Sequence, residues 1–302
     1  MMKILVTGAT GLIGRELCRS LMSDGHMVIG LSRTPERARG VPVTELHRWD
    51  AMSGPPAAES LAGVNAVIHL AGEPIAARRW SDEQKRRVRD SRVVSTRHLV
   101  DGLLAMPSAP AAFLSSSAVG FYGDRGDEVL DERSPAGTGF MADVCKAWEQ
   151  EAERAAPASI RVVMLRTGVV LSREGGALEK LRLPFTLGVG GRLGSGRQWF
   201  PWIHIADMVD IYRYALVSDT LSGPVNATAP VPVTNAEFTR RLARALHRPA
   251  FMAVPEFGLR AVLGEMADVL LTSQRVLPTV LMNAGYGFRF ANLDEALADL
   301  LG

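Results

Sequence analysis

A hydrophobic run, Lys3-Ile4-Leu5-Val6-Thr7, passes directly into Gly8-Ala9-Thr10-Gly11-Leu12-Ile13-Gly14 and then into a helical pattern that reaches Asp24. Strand, glycine turn and helix in that order form the context of a dinucleotide-binding turn, which an isolated glycine match lacks. Each glycine has its own physical role. Gly8 permits the tight turn, Gly11 lets backbone approach a pyrophosphate, and Gly14 lets the helix pack closely on the sheet. The helix N-terminus then offers free N–H groups and the positive end of its dipole to phosphates. Thr10, Leu12 and Ile13 fill the same turn and are expected against the ligand with the glycines. A glycine-rich turn without a ligand is the competing reading, and the strand and amphipathic helix on either side argue against it.

Further apolar runs follow at Met27–Ser32, Ala66–Leu70, Ala112–Ser116 and Arg161–Thr167, separated by helical stretches at Ser81–Ala105 and Met141–Ala155. Their hydrophobicity is continuous rather than alternating, as in parallel strands covered on both faces. The expected fold is therefore α/β, a Rossmann-type doubly wound parallel sheet, with ligands at the carboxyl ends of its strands. After Leu171 the alternation stops. The glycine-rich segment "GVGGRLGSGRQWFPWIH" lacks the Gly-Lys-Ser/Thr of a phosphate loop and reads as a long flexible connection near the site. Prolines at 230, 232, 249, 255 and 278 punctuate a helix-rich tail, expected as a smaller C-terminal lobe. The expected division is a dinucleotide-binding domain over 1–235 and a small helical domain over 236–302.

Composition narrows the function. The net charge is +2, and the Arg-rich stretch from Lys85 to Arg97 is interrupted by Val88, Val93 and Val94, as on a solvated helix face, so no nucleic-acid partner is expected. Cys18 and Cys145 are the only cysteines, too few for a disulfide framework or a metal cluster. Neither a signal peptide nor a bilayer-spanning run is visible, so a cytoplasmic monomer or homodimer with no membrane partner is expected. The thiol of Cys145, despite its neighbour Lys146, is expected to be buried and inert, because adjacent helical residues point apart.

The second strand ends in Leu31-Ser32-Arg33, with Arg37 one helical turn on, where NAD enzymes place an acid for the ribose hydroxyls. A guanidinium fork and a hydroxyl suit a 2′-phosphate instead, so the cofactor expected is NADP. Asp50 follows a short third strand and is a candidate for the adenine amino group. Leu70-Ala71-Gly72 supplies small residues where a chain must pass close to the cofactor, and Ser115 stands at the next strand end.

The segments "GATGLIG", "HLAGEPIAARRW", "SRVVSTRHLV", "SSSAVGFYGDRGDEVLDE", "LRTGVVLSREGGAL", "LPFTLGVGGRLGSGRQWFPWIHIAD" and "RVLPTVLMNAGYGF" occur in that order along the whole chain. In this the chain resembles the extended short-chain dehydrogenase/reductases, in their atypical branch of epimerase family proteins with a small C-terminal helical domain. The resemblance implies an NADP-dependent oxidoreductase or sugar-nucleotide epimerase. It also implies cofactor contacts at Ser32, Arg33, Leu70, Ala71, Arg92 and Val169.

That larger family uses a Ser or Thr, a Tyr, and a Lys four residues after the Tyr; the Lys lowers the Tyr pKa and holds the nicotinamide ribose. Ser117 (or Ser116) fits the hydroxyl, and Lys146 fits the Lys. Four residues before Lys146 stands Ala142, so the proton relay is absent as normally drawn. Three readings stay open. Another group does the acid/base work, with Tyr122, Glu73, Asp143, Lys146 and His204 as candidates. Alternatively hydride transfer takes its proton from water or substrate, or the chain binds NADP without turnover as a sensor. Ser117, Lys146 and Glu73 form the catalytic set expected here. Arg79, Trp80, Gln198, Trp202 and His204 are the expected substrate pocket, with core packing as the alternative for the tryptophans and for His204.

Overall fold

The structure of the protein, a computed structural model, describes residues 1–38 and 40–302. Seven strands form one parallel sheet: β1 (Lys3–Thr7), β2 (Met27–Ser32), β3 (Glu45–Arg48), β4 (Ala66–His69), β5 (Ala112–Ala118), β6 (Arg161–Thr167) and β7 (Gly223–Ala227). Their spatial order is β7-β6-β5-β4-β1-β2-β3. The order reverses between β1 and β4, the place where doubly wound sheets open a ligand crevice. The strands expected from apolar runs are all present; β4 stops at His69, and β5 continues to Ala118.

Pleating sends alternate residues of each strand to opposite faces. Ile4 and Val6 of β1 enter one core with α1 (Leu12–Ser23), while Leu5 enters the other. The first core also takes Ile211, Tyr212 and Ala215 of helix Ile205–Val217. The second takes Leu99, Val100 and Leu103 of α2 (Asp82–Leu104) and Ala152 of α3 (Phe140–Glu153). Both faces are thus covered, which explains the continuous hydrophobicity of the strands.

The segment expected as a flexible connection is built differently. Gly191–Leu193 pairs in parallel with Met252–Val254, Trp199–Phe200 pairs antiparallel with Val233–Thr234, and Trp202–His204 runs parallel to Val169–Ser172. Its glycines serve local geometry. Gly194 and Gly196 turn the chain at φ +55° and +73°, and a side chain on Gly191 would collide with the Met252 carbonyl. The short strands bind the tail to the main domain. Helix Asn235–Ala245 and the last helix, Leu293–Leu301, share a core with Trp202, Leu171 and Leu178. Among the described residues no helix is long and apolar enough to cross a membrane, and no His/Cys/Asp/Glu group could hold a metal ion.

Candidate cofactor cleft

Gly8 adopts φ +69°, and a Cβ there would lie 2.8 Å from the Leu70 carbonyl carbon, so the turn after β1 runs against the end of β4. The Gly11 N–H donates to the Gly8 carbonyl at 2.9 Å. A side chain on Gly14 would collide with that same carbonyl, which is how α1 comes so close to the strand. Gly11 is the N-cap of α1, with no side-chain cap and no acid in the first turn. The first N–H groups of the helix are therefore unspent donors. Leu12 and Ile13 sit in that first turn, Thr10 just before it. The Arg15 side chain folds back to donate from Nε to the Thr10 carbonyl at 3.1 Å. Gly176, N-cap of the helix Ala177–Thr186, closes the other side: a Cβ there would lie 2.9 Å from the Leu12 side chain.

The ends of β1 and β4 are tied by a buried polar knot. The Thr7 hydroxyl accepts from the Leu70 and Ala71 N–H groups (both 3.2 Å), leaving its proton for His69 Nδ1 at 2.7 Å. His69 Nε2 then carries the ring proton and faces the Ser95 hydroxyl at 3.3 Å. Complete burial pushes the His69 pKa down to about 3, so the ring is neutral. An unfolded chain takes up a proton near pH 6.5 that the native ring refuses, so stability is full above that pH and falls as pH drops below it. Between pH 8 and pH 5 His69 alone should remove about 2 kcal/mol. NMR should show the His69 ring resonances unmoved over that range; titration near pH 6.5 would contradict this buried tautomer.

At the expected ribose end the Ser32 hydroxyl accepts from the Thr34 N–H at 3.3 Å. Arg33 is exposed, and Arg37 closes a short helical turn, Pro35–Arg37. The sequence reading missed Arg48. It ends β3 directly beside Ser32, donates to the Arg33 carbonyl at 3.0 Å, and pairs with Glu36. Only the spacing of the third strand could have signalled it. Asp50 accepts from the Met52 N–H (3.1 Å) and the Ser53 hydroxyl (2.9 Å), which hold its carboxyl below the usual range. Both its oxygens are thus already used within its own turn.

Beyond β4, the Arg92 guanidinium packs on Gly72, where a Cβ would lie 3.3 Å from Cζ. Arg92 donates to the Glu73 and Val88 carbonyls at 3.0 Å and lies over the Trp148 ring at 5.3 Å. It is 9% exposed. Burial lowers its pKa, and among the described residues no carboxylate lies within 4.0 Å of it. A buried cation without an anion is costly, and a ligand phosphate would complete it. The half-buried Glu73 receives the Ser91 hydroxyl oxygen as acceptor for its own N–H at 2.9 Å; among the described residues its carboxylate makes no hydrogen bond or ion pair.

The residues expected to catalyse have different partners. Ser117 is buried and donates to Glu149 Oε1 at 2.6 Å; Glu149 in turn holds Arg166 through two contacts at 2.9 and 2.8 Å. Arg166 donates to the Tyr122 hydroxyl at 3.0 Å, and Tyr122 donates to Asn226 Oδ1 at 2.7 Å. Tyr122 is fully buried, and burial pushes its pKa up to about 12, so the phenol stays protonated at neutral pH. Ser115 donates to the Ser116 carbonyl, and Ser116 shares a 2.7 Å hydrogen bond with Tyr212. Lys146 is partly exposed and pairs with Asp143 at 2.7 Å. Ala142 is 1% exposed. Burial pushes the Cys145 thiol up to about 12, in keeping with an inert residue.

The expected substrate pocket divides. Trp80 donates to the Ile75 carbonyl and meets Phe140 edge-on at 5.1 Å, with the exposed Arg79 beside Gly264. Gln198 spends its amide on the Leu193 and Leu270 carbonyls, an internal tie. Trp202 is 1% exposed within the core of the C-terminal lobe. His204 caps helix Ile205–Val217 by accepting from the Ala206 N–H at 3.0 Å. It also bonds Asp299 at 3.2 Å and stacks on Phe290 at 3.9 Å. All three make their contacts along the seam between the segment "GRQWFPWIH" and the tail. Val169 starts the strand paired with Trp202, its N–H on the Pro201 carbonyl at 2.7 Å.

This architecture has close counterparts. Residues 4–227 match the NAD dependent epimerase/dehydratase family, and residues 254–300 match a domain of unknown function, DUF1731. Epimerase family protein Mb2239 of Mycobacterium bovis is 42% identical over 97% of this chain and 96% of its own length. The crystal structure of human epimerase family protein SDR39U1 (isoform2) with NADPH superposes with a TM-score of 0.89 at 37% identity, covering 99% of both chains. A nucleoside-diphosphate sugar epimerase from Corynebacterium glutamicum superposes at 0.81 with 39% identity, covering all of this chain and 58% of that one. The chain belongs to the NAD-dependent epimerase/dehydratase family, as an epimerase family protein of the extended short-chain dehydrogenase/reductase type with a C-terminal DUF1731 domain.

Proposed function

We propose that the cleft above β1 and β4 binds NADP(H) and that the chain is an oxidoreductase or epimerase acting on a small polar substrate, with nucleotide-linked sugars the first class to test. The observation that carries the cofactor assignment is Arg92, a buried guanidinium without an acid partner beside Gly72. The uncapped N-terminus of α1 and the Ser32–Arg33–Arg48 cluster supply the remaining phosphate donors. The human relative's crystal structure with NADPH supports the same reading.

When bound, the dinucleotide supplies a hydride donor or acceptor. The chain supplies the rest. The α1 N–H groups hold the pyrophosphate, and Arg92 neutralises charge beside Gly72. Lys146 anchors the nicotinamide ribose. With Ala142 in the tyrosine position, and Tyr122 and Ser117 committed to buried hydrogen bonds, the acid/base role falls to Glu73, whose carboxylate is unengaged, or to Lys146.

Screening carbonyl compounds by NADPH oxidation, and sugar nucleotides by product analysis, tests this reading. If Lys146 only anchors ribose, Lys146→Ala weakens NADPH binding about ten-fold or more, with turnover at saturating cofactor little changed. A proton-transferring Glu73 predicts a loss of about 10²–10⁴-fold in Glu73→Gln even at saturation. The occupied Ser117 and Tyr122 favour a second reading, an NADP(H)-binding regulator. Tight NADPH binding with no turnover across the panel would replace the enzyme by that regulator.

A further inference from the structure

Away from the cleft, Arg192, Arg240, Arg244 and Arg248 line one groove of about 420 Å³ between the Gly191–Leu193 strand and helix Asn235–Ala245. Its volume lies in the roughly 300–1,000 Å³ range of small-ligand sites. The side chains between the arginines are small, Ala236 and Ala243 among them, so the guanidiniums dominate the lining.

What marks the groove is four guanidiniums around one space without an acid among them. Other surface arginines are compensated: Arg213 holds Asp24 at 2.9 Å, and Arg260 holds Asp268 at 2.7 Å. On the same helix Arg241 reaches Asp294 at 3.3 Å. Among the described residues none of the groove's arginines has an acid within 4.0 Å. Arg240 and Arg244 are spaced i,i+4, where like charges repel. The helix's one acid, Glu237, is folded back on the N-cap, accepting from the Thr234 N–H (2.8 Å) and hydroxyl (3.1 Å). The helix C-terminus favours the cations at Arg244 and Arg248, but it does not account for Arg240 or Arg192. Arg192 is also held in place: its Nη1 donates to the Gly194 and Ser195 carbonyls at 3.1 and 2.7 Å, leaving the rest of the fork for another acceptor. A net charge of only +2 means that this concentration is local rather than a reflection of a basic protein.

We propose that this groove is a second anion site, distinct from the cofactor cleft, which recognises linked phosphates such as a diphosphate group. Planar guanidinium forks match phosphate oxygens in pairs, and several forks around one groove suit a group with more than one phosphate. Inorganic diphosphate and a nucleoside diphosphate share this chemistry.

Calorimetric titration of inorganic pyrophosphate and of ADP into protein saturated with NADPH tests the proposal. One equivalent of pyrophosphate should bind at low salt and weaken steeply as salt is raised. Arg240→Ala/Arg244→Ala should reduce its affinity ten-fold or more, while NADPH affinity and the circular dichroism spectrum stay unchanged. Arg241→Ala, on the same helix but paired with Asp294, should leave it unchanged. Tighter binding of ADP would identify a nucleotide as the ligand, and equal binding would identify the phosphates alone. Absence of binding, or binding indifferent to the double variant, would overturn the proposal. So would a duplex DNA that binds this face when both small phosphates fail.

Discussion

Replacing Gly11 by valine is expected to abolish NADPH binding while leaving the fold in place. The backbone at Gly11 is extended (φ −76°, ψ 174°), a conformation valine adopts freely, and a Cβ there meets only the Gly8 carbonyl, at 3.3 Å. That contact is tight, so the turn must give by a few tenths of an ångström, while no strand residue is struck. The ligand has no such latitude, because the added methyl groups stand where a pyrophosphate must approach the N–H groups of α1. Losing several charge-assisted hydrogen bonds at about 1.5–3 kcal/mol each lowers affinity by more than 100-fold. Gly14 is the structural contrast. A side chain there strikes the Gly8 carbonyl, so Gly14→Val should lower stability as well as binding. Wild-type NADPH affinity in a folded Gly11→Val protein would mean that the turn is not the phosphate site.

The second large effect concerns the buried network at the ends of β5 and β6. Glu149→Gln leaves the Arg166 guanidinium, 4% exposed, without its bidentate partner and should cost about 3–5 kcal/mol in denaturant unfolding. Removing both charges, as Glu149→Leu/Arg166→Met, should restore most of that loss, since a buried ion pair adds little net stability over apolar packing. Ser117→Ala, which deletes the hydroxyl donated to Glu149, should cost about 1 kcal/mol and change turnover by less than ten-fold. A far larger loss of turnover in Ser117→Ala at unchanged stability would return the residue to the chemistry. A double variant no more stable than Glu149→Gln would show that the network is required as a unit.

The sheet was legible because its strands carry the signal themselves. Runs such as Ile4–Val6 and Val162–Leu165 are buried on both faces, and a glycine turn between strand and helix has a single structural meaning. The geometry of the glycine turn after β1 was legible for the same reason, since its constraints are local. What sequence could not supply depends on pairing across the chain. Ser117 at a strand end looks like a hydroxyl at a site until Glu149, far along the chain, is seen to accept from it. His204, Trp202 and Gln198 lie in one polar-aromatic segment that resembles a pocket, but the segment pairs with Val169–Ser172 and caps a helix against the tail. Its glycines suggested mobility, whereas they permit turns and close strand pairing. The contribution of Arg48 was invisible because only the register of β2 against β3 brings it to Ser32. His69, which ties the ends of β1 and β4, reads in sequence as one more residue of an apolar strand.

On the proposed reading, the cleft above β1 and β4 selects a dinucleotide carrying a 2′-phosphate. Calorimetric titration of NADPH and NADH into the wild-type protein at one salt concentration tests it directly, with Arg33→Ala and Arg48→Ala measured alongside. The geometry of Ser32, Arg33 and Arg48 predicts that NADPH binds at least about ten-fold more tightly, and that each variant weakens NADPH by about ten-fold or more while NADH changes little. Equal affinities for the two cofactors in the wild type would contradict the assignment.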